Sequence, residues 1–426
     1  MDHAFEWSFR GGKKVREMEY YFQCISCNSH YDSNEMIYKC PRCQDLLEIR
    51  YDYDQVGKLV DKEVWKTRSF SVWRYRELIP IENTSRVVTL GEGGTGLHRS
   101  EHLAGEIGIE RLSIKFEGEN PTGSFKDRGM TVGVSRAVEE KVRMVACAST
   151  GNTSASLSAY AARAGLRCIV LIPAGKIAQG KLAQAIAHGA TILEIDGNFD
   201  DALRSVIELT NRYRSIALLN SVNPFRVEGQ KTLAYEVCDQ LNFRSPDVVV
   251  VPVGNAGNIS AIWKGFQDFL RLGIIQKVPR MMGIQAEGAA PIASAYRAKT
   301  EEIQSIEKPE TIATAIRIGA PASWKKALRA VKDSGGAMET VSDEQILQAQ
   351  KSLARREGLF VEPASASSLA GLRKLVEQGL VNRSEEIVCV ATGHGLKDPQ
   401  IVSRIGDLPL KTRPDIESVE HALGLK

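Results

Sequence analysis

The chain of 426 residues contains no run of about 18 apolar residues, so no helix is expected to cross a membrane. Its first thirty residues lack the apolar stretch of a secretory signal, because Glu6, Arg10, Lys13 and Lys14 interrupt them. A cytoplasmic location is therefore the default expectation. Neither sign of charge is in excess: 55 Lys and Arg against 52 Asp and Glu leave a formal net charge of +3, too small to point to nucleic acid. Residues 1–19, with Arg10, Lys13, Lys14 and Arg16, read as a solvated N-terminal arm. Internal repeats and low-complexity tracts are absent as well. Cysteine is sparse, 8 in all, which excludes a disulfide scaffold. The hydrophobic content of 43% is that of an ordinary globular chain, long enough here for two or three domains.

Four of the cysteines, Cys147, Cys168, Cys238 and Cys389, sit in apolar contexts and read as core residues. The other four form Cys24-x2-Cys27-x12-Cys40-x2-Cys43, two pairs that can each bring two thiolates together on a tight knuckle. This spacing is that of a zinc ribbon over 20–52, with short strands expected at Tyr20–Gln23, Glu35–Lys39 and Leu46–Tyr51. Disulfides are disfavoured in a reducing compartment. Four thiolates leave no open coordination position, so the metal is expected to be structural. His30 lies between the pairs as a substitute ligand of lesser weight.

From Val142 onward, strand-like and helical patterns alternate. Apolar runs at Val142–Ala148, Arg167–Ile172, Ala190–Ile195, Ile216–Asn220, Val248–Val253, Arg280–Gln285 and Glu386–Ala391 predict strands. Helical patterns lie between most of them, for example Ile177–His188 and Asp200–Tyr213. Such alternation implies an α/β protein of parallel sheets covered by helices. The segment Tyr53–Arg86, with Trp65, Phe70 and Trp73, is expected to dock on the larger body. Gly91-Glu-Gly-Gly-Thr-Gly96 matches G-x-G-x-x-G after Val87–Leu90. The next convincing helix starts only near Ser100, and Glu117 is a poor strand-end acid, so a dinucleotide site is not expected.

Chemistry concentrates elsewhere. Gly123-Ser-Phe-Lys-Asp-Arg-Gly129 places Lys126 in the first turn of a helix running from Asp127 to about Val138. A helix N-terminus disfavours an ammonium, and a neutral amine is the form that attacks a carbonyl. Gly254-Asn255-Ala256-Gly257-Asn258 follows the buried-strand run Val248–Val253 and precedes the helical stretch Ile259–Leu272. Strand, glycine-rich loop and helix together offer bare N–H groups to a phosphate. Ser149–Ser156 carries small hydroxyl and amide side chains at a strand's carboxyl end, where open α/β sheets bind ligands. Asn152 within it has the simpler reading of an N-cap. Asn220–Lys231 sets Ser221 and Arg226 five positions apart, where they can meet an oxyanion. An aldehyde-binding lysine, a phosphate cradle and a polar loop make a cofactor site together, where each alone is weak.

These segments, with Ile316-Arg-Ile-Gly319, Glu362-Pro-Ala-Ser-Ala366 and Ala391-Thr-Gly-His-Gly-Leu-Lys-Asp398, resemble the threonine synthase family over residues 85–400. That family uses pyridoxal 5'-phosphate on the tryptophan synthase β (type II) fold. The resemblance implies two parallel-sheet αβα domains with the cofactor between them. The larger would comprise 53–130 and 231–426, and the smaller would be inserted at 131–230. It implies that Lys126 binds the cofactor and moves protons, that Asn152 meets the ring hydroxyl, and that Gly254–Asn258 hold the cofactor phosphate. Thr392 would face the pyridine nitrogen. There a hydroxyl gives a weaker electron sink, which suits β,γ-elimination and replacement better than transamination. Thr153, Ser221, Arg226 and Asn255 would bind the phosphate of O-phospho-L-homoserine, giving L-threonine and phosphate with water. Some members carry an N-terminal zinc ribbon, and many enzymes of the fold are homodimers. Rival readings are a cysteate synthase acting on phosphoserine, a threonine or serine dehydratase, and a zinc-ribbon interaction protein with an inactive enzyme domain. The family's Gly-Glu-Gly-x-Thr stretch is usually followed by proline, where this chain has Gly96.

Overall fold

Val248-Val-Val-Val-Pro252 has no polar side chain, and all five residues are buried, because helices cover both faces of the sheet they form. The computed structural model describes residues 20–33, 35–175, 179–406 and 410–425. The basic arm expected at 1–19 lies outside the described residues. Val248–Pro252 lies inside a six-stranded sheet in the order Ala337–Val341, Arg280–Ala286, Val248–Pro252, Glu386–Ala391, Arg111–Phe116, Leu97–Arg99. The first five strands run parallel, and Leu97–Arg99 closes the edge antiparallel. A second sheet of four parallel strands has the order Thr191–Ile195, Arg167–Pro173, Met144–Ala148, Ile216–Leu218. A third, antiparallel sheet joins His30–Asp32, Tyr20–Cys24 and Leu47–Tyr51.

Each apolar run expected to be a strand contributes one, with ends shifted by up to two residues. Three strands carry no such run. Arg111–Phe116 alternates with Ser113 and Lys115, Ala337–Val341 contains Glu339, and Leu97–Arg99 has three residues. The expected ribbon strand Glu35–Lys39 is not formed; His30–Asp32 takes its place beside Tyr20–Cys24. Val87–Leu90 is not a strand either. The expected helix Ile177–His188 is described over Gln179–Ala187, and Ile177 itself lies outside the described residues.

Two glycines of the loop that mimics a dinucleotide motif pack against protein. A Cβ on Gly94 would stand 2.0 Å from the Phe70 carbonyl oxygen, and one on Gly93 would stand 2.6 Å from the Val72 nitrogen. The Gly96 N–H donates to Glu119 Oε2 at 2.5 Å, and His98 Nε2 pairs with Glu119 Oε1 at 2.7 Å. A proline at 96 has no hydrogen to give to Glu119.

The helix Lys126–Glu139 packs directly on the helix Pro224–Gln230. Glycines make the approach possible. A Cβ on Gly229 would stand 1.8 Å from the Arg128 carbonyl oxygen, and one on Gly129 would stand 2.8 Å from the Arg226 carbonyl oxygen. Beneath them, fully buried Arg128 is bound by Glu117 at 2.5 Å and Glu236 at 2.6 Å, and Lys115 reaches Glu236 at 2.8 Å. Charges of both signs are matched there, which makes their burial tolerable. The segment Tyr53–Arg86 lies against the larger sheet's helices: Trp65 stacks on Phe269 at 5.7 Å, and Tyr53 Oη donates to Asp268.

Gly229→Ala forces two backbones apart, and it is expected to destabilise the fold by about 3 kcal/mol. Denaturant unfolding measures this; an unchanged midpoint would show that the helices do not touch there.

Candidate active site

The carboxyl ends of strands from both parallel sheets face one cleft, the position at which open α/β sheets bind ligands. Glu386–Ala391 delivers Thr392, Val248–Pro252 delivers 254–258, Met144–Ala148 delivers 149–153, and Ile216–Leu218 delivers Ser221. A chamber of about 490 Å³ opens there, lined among others by Thr122, Thr150, Asn152, Arg317, Glu362 and Lys397. A wider groove of about 680 Å³ elsewhere is lined by Glu106, Arg373 and Arg383, and its Arg373 is already paired with Glu106 at 2.7 Å.

Lys126 is the first residue of its helix, as the motif predicts, and is partly buried. Its Nζ lies 3.6 Å from the centroid of the Phe125 ring. The amine's pKa is held down to about 7, first by burial and then by the positive charge of Arg226, with Glu362 opposing. Burial, rather than the helix terminus, is thus the main reason the amine loses its proton so readily.

Asn152 is not the N-cap of its helix. Gly151 occupies the cap, and the Asn152 amide turns to Glu362, donating to both carboxylate oxygens at 3.2 and 3.1 Å. Thr153 follows it in the first turn. Glu362, buried at the start of the helix Pro363–Glu377, also accepts from Thr392 Oγ1 at 3.4 Å, and its pKa is raised chiefly by burial. The Ser365 and Thr392 hydroxyls lie 2.9 Å apart, and Ser365 Oγ accepts from the Gly393 N–H at 2.8 Å. Phe125 N–H donates to the Thr392 carbonyl at 3.1 Å, which ties this group to the residue beside Lys126. Glu362 and Ser365 have no individual role in the sequence analysis. The available signal is an acid directly before Pro363, following the apolar Leu359-Phe360-Val361, since a glutamate is an unusual helix cap.

The loop 254–258 turns through Ala256 in the left-handed region, φ 65°, into the helix Gly257–Arg271. A Cβ on Gly254 would stand 2.8 Å from the Ile316 Cα. Among the described residues, no acceptor meets the backbone N–H groups of Gly254, Asn255, Ala256, Gly257 or Asn258. Both side-chain polar atoms of buried Asn258, and the buried Ser124 Oγ, are also without partners. Unpaired donors at a helix N-terminus are what a phosphate requires. The Asn255 side chain donates to Ser221 Oγ at 2.7 Å and accepts from the Ala322 N–H at 2.5 Å. Ser221 is thereby tied to the loop 254–258.

Arg226 is 2% exposed. Its Nε has no hydrogen-bond partner, and among the described residues no carboxylate pairs with it. Burial lowers its pKa to about 10. Gly133 leaves room for it, since a Cβ there would stand 3.3 Å from the Arg226 Cγ. A buried guanidinium without an anion is costly, so this one is arranged to receive an anion.

A family profile described as pyridoxal-phosphate-dependent enzyme matches residues 88–393. The threonine synthase of Methanocaldococcus jannaschii is 57% identical over 401 residues, covering 94% of this chain and 98% of that protein. That of Methanosarcina acetivorans is 53% identical, covering 95% and 98%, and that of Halalkalibacterium halodurans is 51% identical, covering 83% and 99%. The chain belongs to the threonine synthase family. Among solved structures, threonine deaminase isoform 2 from Solanum lycopersicum has a TM-score of 0.62 at 21% identity, covering 74% of this chain and 88% of that one. Maize serine racemase has a TM-score of 0.61 at 21% identity, covering 73% and 91%. These two share its fold, that of the type II pyridoxal-phosphate enzymes.

The four cysteine thiols stand apart from this cleft. Sγ–Sγ distances of 3.4 Å for Cys24–Cys43 and 3.5 Å for Cys27–Cys40 and Cys27–Cys43 are too long for disulfides. All four Sγ atoms lie within 4.8 Å of one another. Tetrahedral zinc with 2.3 Å bonds would hold sulfurs about 3.8 Å apart. His30 is outside the cluster; its ring meets Gln23 Nε2 at 3.1 Å.

In cofactor-free protein, acylation of Lys126 is expected to titrate with a midpoint near pH 7. Arg226→Met removes a repelling charge and should move the midpoint up, whereas Glu362→Gln removes an attracting one and should move it down. A midpoint near 10.4, that of an ordinary lysine, would contradict the burial argument.

Proposed function

We propose that the chain converts O-phospho-L-homoserine and water into L-threonine and inorganic phosphate. The observation that carries this reading is Arg226, a buried cation with no anion of its own, on a helix packed against the one that bears Lys126. A substrate without phosphate leaves that guanidinium uncompensated, and this disfavours a dehydratase.

The unpaired N–H groups of 254–258 and the orphaned polar atoms of Asn258 fit the phosphate of pyridoxal phosphate, and the low-pKa amine of Lys126 fits its aldehyde. Asn152 is suited to the ring hydroxyl and Thr392 to the ring nitrogen, with Glu362 and Ser365 orienting them. Once bound, this cofactor supplies an electron sink for carbanions next to the substrate nitrogen. The residues do the rest. Arg226, Ser221, Thr153 and Asn255 bind the substrate's phosphate and stabilise its charge as the Cγ–O bond breaks. Lys126 would take protons from Cα and Cβ and return them to Cα and Cγ, while water supplies the hydroxyl at Cβ. Atoms balance: one water enters and one inorganic phosphate leaves. The Cys24, Cys27, Cys40, Cys43 cluster is assigned a structural zinc, supported by its thiolate set and spacing. A cytoplasmic homodimer is the accompanying expectation, supported by the family resemblance.

Lys126→Ala is expected to lose both the visible absorbance of bound cofactor and turnover; retained turnover would refute its role. Arg226→Met should lower kcat/KM for O-phosphohomoserine about 100-fold, the worth of charge-assisted hydrogen bonds. Its unfolding midpoint should not fall, because no ion pair is lost. Phosphate release measured on O-phosphohomoserine and on phosphoserine tests the substrate: turnover of phosphoserine alone would favour a cysteate synthase instead.

A further inference from the structure

The cysteine ribbon is built into both halves of the enzyme. Its Tyr20, Phe22, Leu47, Ile49 and Tyr51 share one core with Val251 and Phe266 of the larger sheet and its helices. Its Ile25 and Leu46, which flank the knuckles, lie in a different core with Ala146, Leu218 and Val222 of the smaller sheet. Polar contacts repeat the division. Toward the larger sheet, Lys264 donates to the Ile49 carbonyl at 2.6 Å, Lys326 pairs with Glu48 at 3.0 Å, and Arg329 donates to the Ile25 carbonyl at 3.2 Å. Toward the smaller sheet, Arg214 donates to the Met36 carbonyl at 2.9 Å, Arg136 donates to the Ser33 carbonyl at 3.1 Å, and the Leu218 N–H donates to Tyr38 Oη at 3.1 Å.

Between these footholds lies the helix that carries Arg226. Phe225, its neighbour, meets Phe22 edge-on at 5.8 Å and Tyr20 at 6.2 Å. One turn later, Glu228 accepts from Tyr51 Oη at 2.5 Å. The ribbon therefore holds the residues on either side of Arg226, while among the described residues no hydrogen bond or ion pair fixes the guanidinium itself. On the opposite side the helix rests on Gly129 and Gly133.

We propose that the ribbon positions the phosphate site: its four-cysteine centre pins the strand Tyr20–Cys24, and Tyr20, Phe22 and Tyr51 set the Arg226 helix at its distance from Lys126. This rests on the reading of Arg226 as the phosphate ligand. The knuckles that carry Cys24, Cys27, Cys40 and Cys43 take their geometry from the metal they share. Loss of the metal loosens the strand that ends in Cys24, and small displacements of a binding group are costly. Lys126, Asn152 and Thr392 depend on other partners, the Glu117–Arg128–Glu236 cluster and Glu362, so cofactor binding should be spared. Tyr20, Phe22 and Tyr51 are positioning residues; none reaches the reacting atoms.

The test uses the full-length holoenzyme and its Phe22→Leu, Cys43→Ser and Cys43→His variants. Metal content, cofactor absorbance, KM, kcat and the affinity for inorganic phosphate are measured for each. Phe22→Leu should keep metal and absorbance yet bind phosphate about tenfold more weakly, with KM raised more than kcat is lowered. Cys43→Ser should lose metal and weaken phosphate at least as much, and Cys43→His, which keeps a four-ligand set, should restore both. Should Cys43→Ser fail to fold, Phe22→Leu and Cys43→His decide. Unchanged phosphate affinity in Phe22→Leu, or a metal-loaded Cys43→His that still binds phosphate weakly, would overturn the proposal. Wild-type enzyme that binds no phosphate would instead overturn the reading of Arg226.

Discussion

The cleft is organised around a buried positive charge that, among the described residues, has no carboxylate beside it. Arg226 sits 2% exposed on a helix that glycines bring close to the helix of Lys126. The two cations feel each other: Arg226 is the second cause, after burial, of the low pKa of Lys126. The support below is the Arg128, Glu117, Glu236 and Lys115 cluster, where each buried charge is matched and the Lys126 helix is anchored. Charge is satisfied in the support and left open in the site.

The same division separates two features suited to anions. The loop 254–258 offers neutral backbone donors at a helix N-terminus, suited to an anion that stays. Arg226 offers a full charge, suited to an anion that arrives with the substrate and departs as product. Asn255, bonded to Ser221, stands between them. Deaminases and racemases share the fold with this chain, so the difference in chemistry rests on a few side chains rather than on architecture.

Much of the architecture can be read from the chain because its central strands are uninterrupted apolar runs. Glu386–Ala391 has the same two ends in sequence and structure. Arg111–Phe116 escapes because Lys115 breaks its pattern. Its ammonium is nevertheless internal, held by Glu236, which lies 121 residues away in sequence. Such a partner is invisible to periodicity. In the cleft, contiguous motifs announce themselves: the lysine segment meets the asparagine loop where Ser156 Oγ donates to Asp127 at 2.5 Å. Glu362 does not announce itself, because its part depends on meeting Asn152 across 210 positions of sequence. Burial, the main cause of the amine's low pKa, cannot be seen locally, whereas a helix start can. Gly93 and Gly94 of the dinucleotide-like stretch pack against Val72 and Phe70.

A co-crystal structure with a phosphonate analogue of O-phosphohomoserine tests the central claim most directly. The account predicts the phosphonate oxygens within hydrogen-bonding distance of Arg226 and Ser221, with the amino end directed toward Lys126. A phosphonate bound elsewhere, with the Arg226 guanidinium still unpaired in the occupied enzyme, would contradict it.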